Sequence, residues 1–363
     1  MTPPRRSLLR RLRFVWVFLL GLVAFDLLIR ATSGTWERHS PDGYTERVSG
    51  CAAERRDVVF VGGSPVAEGI NLAVIGSVNW RGETLANVYA VGLSGGTTSD
   101  VFFGTIHACP QPPKVLVYGI TASDINDSRH EPHGANSLLT MADVRDWERT
   151  RPDAAEWVTR HYWQGRLGDV WAAYKHRHGI KMWAATVADG VWPGCCPETV
   201  SEANRQQKIG EDITNQRGYA PTQWFAGRRY DQMKAGGWEQ PPFEYLHRYR
   251  TGSHLKYLHR LIDWCEDNGV AVVLIDMPTT ADLEQRHPAE FAEFRRLLAE
   301  VERSRGVHVL RASREAVGLG DQHFADLIHP NADGATVLSA WVKRELERVG
   351  SETPSRVVRG SAP

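Results

Sequence analysis

The chain has 363 residues, with 43 basic and 43 acidic side chains and 42% apolar residues. These values are typical of a folded protein and exclude a disordered chain, a collagen or a coiled coil as the main architecture. The formal net charge of zero argues against binding along a nucleic acid, which requires a basic face. We therefore expect no nucleic-acid partner.

The N-terminus departs from this charge balance. Residues 1–13 contain five arginines and no acidic residue, and residues 14–29 are almost wholly apolar except for Asp26. Arginines before an apolar run keep the N-terminus in the cytoplasm. We predict a basic cytoplasmic tail (1–13), a single transmembrane signal anchor (14–29) and a folded domain outside the cytoplasm. Because the run is shorter than the roughly 20 residues that span a bilayer, a cleaved signal peptide and a buried core helix remain alternatives.

The rest of the chain alternates apolar runs with helical patterns. Residues 31–55 are polar and are predicted to be a tether. Five short valine-rich runs follow, at 57–62, 87–93, 115–121, 270–277 and 307–312. Continuous apolar runs of this length are typical of parallel strands covered by helices on both faces. The alternation predicts an α/β fold with a three-layer, doubly wound parallel sheet.

Residues 128–249 interrupt this alternation without a strong strand run. They hold eight of the 13 tryptophans of the chain, namely Trp147, Trp157, Trp163, Trp171, Trp183, Trp192, Trp224 and Trp238. We predict a helical insertion packed over the ligand-binding edge of the sheet. Tryptophans mostly serve packing, although some of these could line a groove. Residues 351–363 are predicted to form a disordered tail.

The five cysteines form no CxxC pair, and the paired histidines lack carboxylates or cysteines at ligand spacing. A zinc site is therefore not expected, and we predict neither a metal nor a cofactor. The adjacent pair Cys195 and Cys196 could join distant cysteines in an oxidising compartment.

Polar residues follow the predicted strands where ligands bind in an open parallel sheet, at the carboxyl ends. Ser64 follows the first run, Gly95 lies in a glycine turn after the second, and Asp326 and His329 stand three residues apart before the last helix. A serine needs a histidine to take its proton and a carboxylate to orient that histidine. A glycine turn supplies backbone N–H groups to a developing oxyanion.

This order of motifs resembles the SGNH branch of the GDSL hydrolases, over residues 56–127 and 250–348. The resemblance implies a flavodoxin-like SGNH domain in which Ser64 is the nucleophile and Gly95 a backbone oxyanion donor. It also implies that His329 is the general base and that Asp326 orients it.

The chain departs from the family pattern in its third block. The family presents an asparagine in a GxND pattern, whereas this sequence reads GITASDIND. Ser123 stands at the expected asparagine position and Asn126 follows three residues later. We predict that Asn126, Ser123 or Thr121 supplies the third oxyanion donor, with a weakened oxyanion hole as the alternative.

Each motif also has a structural interpretation when it is taken alone. Ser64, followed by proline, is a good helix N-cap. The glycine pair that begins at Gly95 could be only a turn, and Asp326 with His329 could be a surface pair. Their combination, in order and at strand ends, favours a catalytic site.

The leading functional prediction is a membrane-anchored serine ester hydrolase that acts outside the cytoplasm on an ester-bearing small molecule or an acylated glycan. Its closest alternative is an O-acyltransferase that passes the acyl group to an envelope polysaccharide. A catalytically silent envelope-binding protein with the same fold is the third hypothesis.

Overall fold

The structure is a computed structural model that describes residues 5–35, 43–129, 139–150, 152, 155–219, 223–238 and 243–352. The chain forms two compact units. One, which we call the anchor unit, comprises Met1–Asp42 and Val158–Gly210; the other, the sheet unit, comprises Gly43–Trp157 and Glu211–Pro363. Most of the predicted C-terminal tail, from residue 353 onward, lies outside the described residues.

The sheet unit is built around a five-stranded parallel sheet. The strands of the described chain are β1 Val58–Gly62, β2 Val78–Trp80, β3 Glu83–Leu85, β4 Val88–Gly92, β5 Val115–Ile120, β6 Ala271–Asp276 and β7 His308–Arg311. The order in the sheet is β4-β1-β5-β6-β7, while β2 and β3 form a separate antiparallel pair. Each sheet strand coincides with a predicted apolar run to within one residue at either end, and the doubly wound fold is confirmed.

Helices cover the sheet and form the whole described part of the anchor unit. In chain order they are α1 Arg5–Ala31, α2 Gly43–Ala52, α3 Ser64–Gly69, α4 Leu72–Ile75, α5 Thr98–Ala108, α6 Met141–Thr150, α7 Ala155–Val170, α8 Ala172–Lys175, α9 Arg177–Val191, α10 Pro197–Asn215, α11 Gln223–Ala226, α12 Tyr230–Ala235, α13 Ser253–Asp267, α14 Ala281–Arg286, α15 Pro288–Arg305, α16 Arg314–Val317 and α17 Ala332–Ser351.

Two groups of helices flank the sheet. Helix α5 packs against α2 and α13, and α17 packs against α3 and α4. Strands β1, β4 and β5 are buried at every residue, as expected where helices cover both faces of a parallel sheet. The result is a three-layer α/β/α arrangement in which β1 lies between β4 and β5.

Three glycines lie in register at the carboxyl ends of β4, β1 and β5. Gly62 pairs with Gly92 on one side and with Gly119 on the other. A Cβ at Gly62 or Gly119 would collide with Val66 of α3. The glycines therefore allow α3, with Ser64 at its start, to pack directly against the strand ends.

The predicted tether ends earlier than the sequence suggested. Residues 43–52 form α2, on which Arg47 and Val48 are buried and Cys51 is fully buried. The helix packs against β4 and α5. The polar residues on the exposed face of α2 made the segment resemble a tether in the sequence.

The predicted insertion is helical but is divided between the two units. Residues 158–210 belong to the anchor unit, whereas residues 139–157 and 211–249 belong to the sheet unit. Trp147 is fully buried and stacks on Tyr257. Five other tryptophans are more than a third exposed, which the expectation of packing did not anticipate: Trp163, Trp171, Trp183, Trp192 and Trp238.

In the anchor unit, α1 is long and apolar enough to cross a membrane over Arg13–Ala31. This span extends the predicted 14–29 segment by one residue at its start and two at its end. The short helix α8 packs against α1 and is followed directly by α9.

Candidate active site

Ser64 begins α3 immediately beyond the carboxyl end of β1. The N-cap of this helix is Gly63, with Pro65 in the first turn. The serine hydroxyl is thus not the cap that its sequence context allowed. Instead, Ser64 Oγ lies 2.8 Å from His329 Nε2, and the side chain is free of any role in starting the helix.

Asp326 and His329 form a tight turn that precedes α17. His329 Nδ1 lies 2.7 Å from Asp326 Oδ2. The other carboxylate oxygen, Oδ1, accepts hydrogen bonds from the backbone N–H groups of Ile328 and His329, each at 2.9 Å. The carboxylate is therefore fixed by the same short turn that carries the imidazole.

The electrostatics of Asp326 favour its ionised form. Burial by itself raises the pKa of this carboxyl, but the hydrogen bond and charge of His329, together with the two backbone N–H groups, outweigh burial. The net result is a pKa below the usual value for aspartate. An ionised carboxylate accepts hydrogen bonds only, so the proton between the two side chains lies on His329 Nδ1.

This assignment determines what the other imidazole nitrogen can do. In a neutral imidazole, one nitrogen carries the proton and the other is an acceptor. With the proton on Nδ1, Nε2 presents its lone pair to the Ser64 hydroxyl at 2.8 Å. Ser64, His329 and Asp326 are thus arranged for proton transfer from the serine to the histidine.

Asn331 joins this turn to neighbouring segments by hydrogen bonds. It is the N-cap of α17, where its Oδ1 accepts from Gly334 N. Its Nδ2 donates to the carbonyl oxygens of Arg228, at 2.9 Å, and Gln322, at 2.8 Å. The sequence analysis missed this residue, although an asparagine just before a helix is a recognisable capping signal.

Phe225 covers one face of the imidazole. Its ring centroid lies 4.1 Å from that of His329, at an angle of 34°. The phenylalanine belongs to α11, within residues 211–249 of the predicted insertion. Tyr230 N, just downstream, donates to Phe324 O at 2.7 Å and fixes this segment beside the histidine. No sequence signal distinguished Phe225 from the other aromatic residues of the insertion.

The loops after β1, β4 and β5 converge on Gly63. A Cβ built on this glycine would lie 3.4 Å from both Gly96 O and Asp124 Oδ1. Gly95 adopts the left-handed conformation, with φ of 68°, which glycine accepts without strain. None of the described residues accepts a hydrogen bond from the N–H groups of Ser64 and Gly95, so both remain available to a ligand.

Asn126 does not serve as the third donor in this structure. It is fully buried, and its Nδ2 donates to Tyr245 O at 2.8 Å. Its Oδ1 accepts from the N–H groups of Ser128 and Arg250, each at 3.1 Å. The amide is thus committed to the loop around residues 244–250, which corrects the expectation that it turns toward the serine.

Ser123 lies in the 3₁₀ turn Ala122–Ile125 that follows β5. Its hydroxyl is 2.8 Å from the Thr121 hydroxyl, and both residues are nearly buried. Thr121 also donates a side-chain hydrogen bond to the Asp124 carboxylate, so the Ser123 hydroxyl donates to Thr121. Ser123 could therefore donate to a ligand only by turning away from Thr121.

A buried guanidinium connects the second and third blocks. Arg129 donates to Gly95 O at 2.7 Å and lies 3.8 Å from Asp124, with side-chain exposures of 8% and 3%. Its guanidinium stacks 4.4 Å above the ring of Tyr245. Burial raises the pKa of Asp124 to about 6 despite the opposing effect of Arg129. The sequence analysis missed Arg129, which follows the third block directly.

The comparisons with known proteins add little to this geometry. No protein-family model and no curated protein matches the chain. Among solved structures, it is similar to a lipase/acylhydrolase from Enterococcus faecalis, with a TM-score of 0.36 and 14% identity over 83% of this chain and 99% of that chain. It is also similar to a candidate acylhydrolase from Bacteroides fragilis NCTC 9343, with a TM-score of 0.36 and 10% identity over 83% and 94%. Likeness at this level assigns neither a family nor an activity.

Proposed function

We propose that this protein is a serine ester hydrolase of the SGNH type that works through an acyl-enzyme on Ser64. The observation that carries the proposal is the continuous chain of short contacts from Ser64 Oγ to His329 Nε2 and from His329 Nδ1 to Asp326 Oδ2, at 2.8 and 2.7 Å. A serine hydroxyl is a weak nucleophile unless a base of this kind takes its proton.

In the proposed reaction, His329 Nε2 takes the Ser64 proton while Oγ attacks the ester carbonyl. The imidazolium that forms is stabilised by the Asp326 carboxylate. Nε2–H then protonates the departing alkoxide, which leaves an acyl group on Oγ. In the second half, a water molecule gives its proton to His329 and attacks the acyl carbon. The acyl–Oγ bond then breaks, His329 returns the proton to Ser64 Oγ, and the carboxylic acid is released.

The negative charge on the carbonyl oxygen requires donors that are already in place. We assign this role to the N–H groups of Ser64 and Gly95, with the Ser123 hydroxyl, once it turns away from Thr121, as the third donor. The bond from Arg129 to Gly95 O fixes the turn that presents the Gly95 N–H. Arg129 is therefore a positioning residue.

A second candidate function shares the acyl-enzyme. Phe225 covers one face of His329, whose side chain is only 11% exposed. Limited access of water near the base would favour transfer of the acyl group to an alcohol. An O-acyltransferase that acts on a sugar hydroxyl of an envelope glycan would use the same three residues.

We also propose that α1 anchors the protein in a membrane, with residues 1–13 in the cytoplasm and the sheet unit outside. The support is the apolar span Arg13–Ala31 preceded by arginines. A reporter that is active only outside the cytoplasm, fused after residue 363, should be active. A silent reporter on a well-expressed fusion would contradict this orientation.

Turnover of p-nitrophenyl esters, with and without an added sugar, tests the reaction. We expect Ser64→Ala and His329→Ala each to abolish turnover, and the double variant to lose no more than either alone, because the residues act as a unit. Ser313→Ala is the matched control, since Ser313 caps α16 and should not affect turnover. An acyl-sugar product would select the transferase, and full activity of Ser64→Ala would contradict both reactions.

A further inference from the structure

Two helices of the anchor unit expose apolar side chains in regular stripes. On α7 these are Trp163, Leu167 and Val170, which are 57%, 44% and 74% exposed. Residues four and three positions apart lie on one face of a helix. Trp171 continues the stripe just beyond the helix and is also exposed. A water-facing helix surface would normally carry polar residues at these positions.

Helix α9 repeats the pattern. Trp183, Val187 and Val191 follow one another at intervals of four residues and are 37%, 45% and 75% exposed. Met182 and Ala185, on the opposite side of the helix, are buried. The helix is therefore apolar on two sides: one packs inside the protein, and the other is left facing outward. Trp192, at its end, is 77% exposed.

These exposed side chains are too many to be scattered surface residues. Single exposed apolar residues are ordinary, but regular stripes of large ones mark a surface that binds another apolar phase. We call the set the apolar platform; its members are Trp163, Leu167, Val170, Trp171, Trp183, Val187, Val191 and Trp192.

The platform is joined to the end of α1 that leaves the apolar span. Arg30 donates to the carbonyl oxygens of Val170 and Asp169, at 2.5 and 3.4 Å. Asp26 accepts a hydrogen bond from Ala172 N at 2.5 Å and pairs with Arg30 at 2.7 Å. The junction of α7 and α8 is thus hydrogen-bonded to the last turns of α1, at the C-terminal end of the apolar span.

The charge of this region also matches a lipid surface. Residues 158–192 contain five basic and two acidic side chains. The basic residues Lys175, Arg177 and Lys181 are all exposed. Helices with tryptophans on one face and cations beside it lie in the headgroup region of anionic bilayers.

We propose that the apolar platform inserts into the outer leaflet of the membrane that α1 spans, so that α7 and α9 lie along the bilayer surface. This inference rests on the proposed anchor, because α1 determines which lipid surface the platform meets. An interfacial helix buries its apolar face about 5–10 Å into the boundary between headgroups and acyl chains. The anchor unit would then hold the protein to the bilayer by a broad surface in addition to one helix.

Nitroxide labels on the full-length protein test this directly. The protein is reconstituted in nanodiscs of phosphatidylcholine and phosphatidylglycerol, with Cys195 and Cys196 replaced by serine so that only a new cysteine reacts. The platform is labelled through Val187→Cys and, separately, Val191→Cys. Each label's collision rate with oxygen, which concentrates among acyl chains, is compared with its collision rate with a water-soluble nickel chelate.

Two further positions serve as controls. Asn204, exposed on the polar helix α10 of the same unit, should be reached mainly by the nickel chelate. Val23, exposed in the apolar span, should be reached mainly by oxygen if α1 crosses the bilayer. The depth parameter is the logarithm of the ratio of the oxygen collision rate to the nickel collision rate. It should have opposite signs at these two positions, which calibrate the platform labels.

We expect the labels at Val187 and Val191 to share the sign found at Val23. If they share the sign at Asn204 instead, the platform faces water and the proposal is wrong. Low collision rates with both reagents would also overturn it, because they indicate a protein partner or a second copy. A lipid signal at Val187 and Val191 without one at Val23 would support the platform while contradicting the anchor, so the two proposals fail separately.

Discussion

Replacing Asp326 by asparagine changes a single heavy atom in the site but should reverse the direction of its hydrogen bond to His329. In the structure, Oδ1 accepts two backbone N–H groups, from Ile328 and His329, and Oδ2 faces His329 Nδ1. An asparagine must keep its one oxygen on the two N–H groups, because an NH₂ group there would oppose two donors. Its NH₂ group is therefore forced to face Nδ1.

This orientation imposes the wrong tautomer on the histidine. When Nδ1 accepts from the amide, the imidazole proton moves to Nε2, which can no longer take the proton of Ser64. Loss of the correct tautomer in a triad of this type lowers kcat by about 10⁴-fold, or about 5.5 kcal/mol of transition-state stabilisation. Because the hydrogen bonds around the turn are kept in number, we expect little change in the free energy of unfolding.

Steady-state hydrolysis of a p-nitrophenyl ester and urea unfolding should be measured on the same preparations. Asp326→Ala is the companion variant: it removes the acceptor of three hydrogen bonds and should lower both kcat and stability. If Asp326→Asn keeps kcat within about tenfold of the original protein, the carboxylate does not set the tautomer, and the assigned role of Asp326 is wrong.

Other predictions follow from buried groups outside the triad. Asn126→Ala should lower the free energy of unfolding, measured in urea, by about 1–3 kcal/mol because it leaves buried backbone groups without hydrogen-bond partners. A hundred-fold loss of kcat without this destabilisation would instead indicate that Asn126 is an oxyanion donor. Burial raises the pKa of Asp276 to about 6, so the folded protein holds this proton more tightly than the unfolded chain and the free energy of unfolding falls as pH rises from about 4 to about 6. Asp276→Asn should reduce this fall by up to about 3 kcal/mol, and an unchanged pH profile would refute it. In the native protein, alkylation followed by mass spectrometry should modify Cys195 and Cys196 but not the three buried cysteines, and rapid modification of all five thiols would contradict the packing described.

The fold could be predicted from the sequence because its signals are local. Each valine-rich run is short, continuous and bounded by helical patterns, so the strands and their parallel arrangement follow from periodicity. The residues Ser64, Asp326 and His329 could be named for the same reason, since each lies where a predicted strand or helix begins or ends.

What could not be predicted depends on contacts between distant parts of the chain. Asn126 was one of three candidate donors near the serine, but the loop around residues 244–250 offers it three hydrogen-bonding groups that could not be predicted from the sequence. Phe225 lies against His329 in a segment that Tyr230 and Asn331 join to the turn of the histidine by hydrogen bonds. The outward-facing stripes on α7 and α9 could not be predicted either, because helical periodicity shows that a face is apolar but not what covers it.

Covalent labelling by a fluorophosphonate determines whether Ser64 is an activated nucleophile. The native protein is treated with the probe, and the modified peptide is identified by mass spectrometry. We expect a single adduct on Ser64, absent from Ser64→Ala and from His329→Ala and unaffected in Ser313→Ala. A folded protein that gives no adduct, or whose adduct persists in Ser64→Ala, would show that Ser64 is not the activated nucleophile.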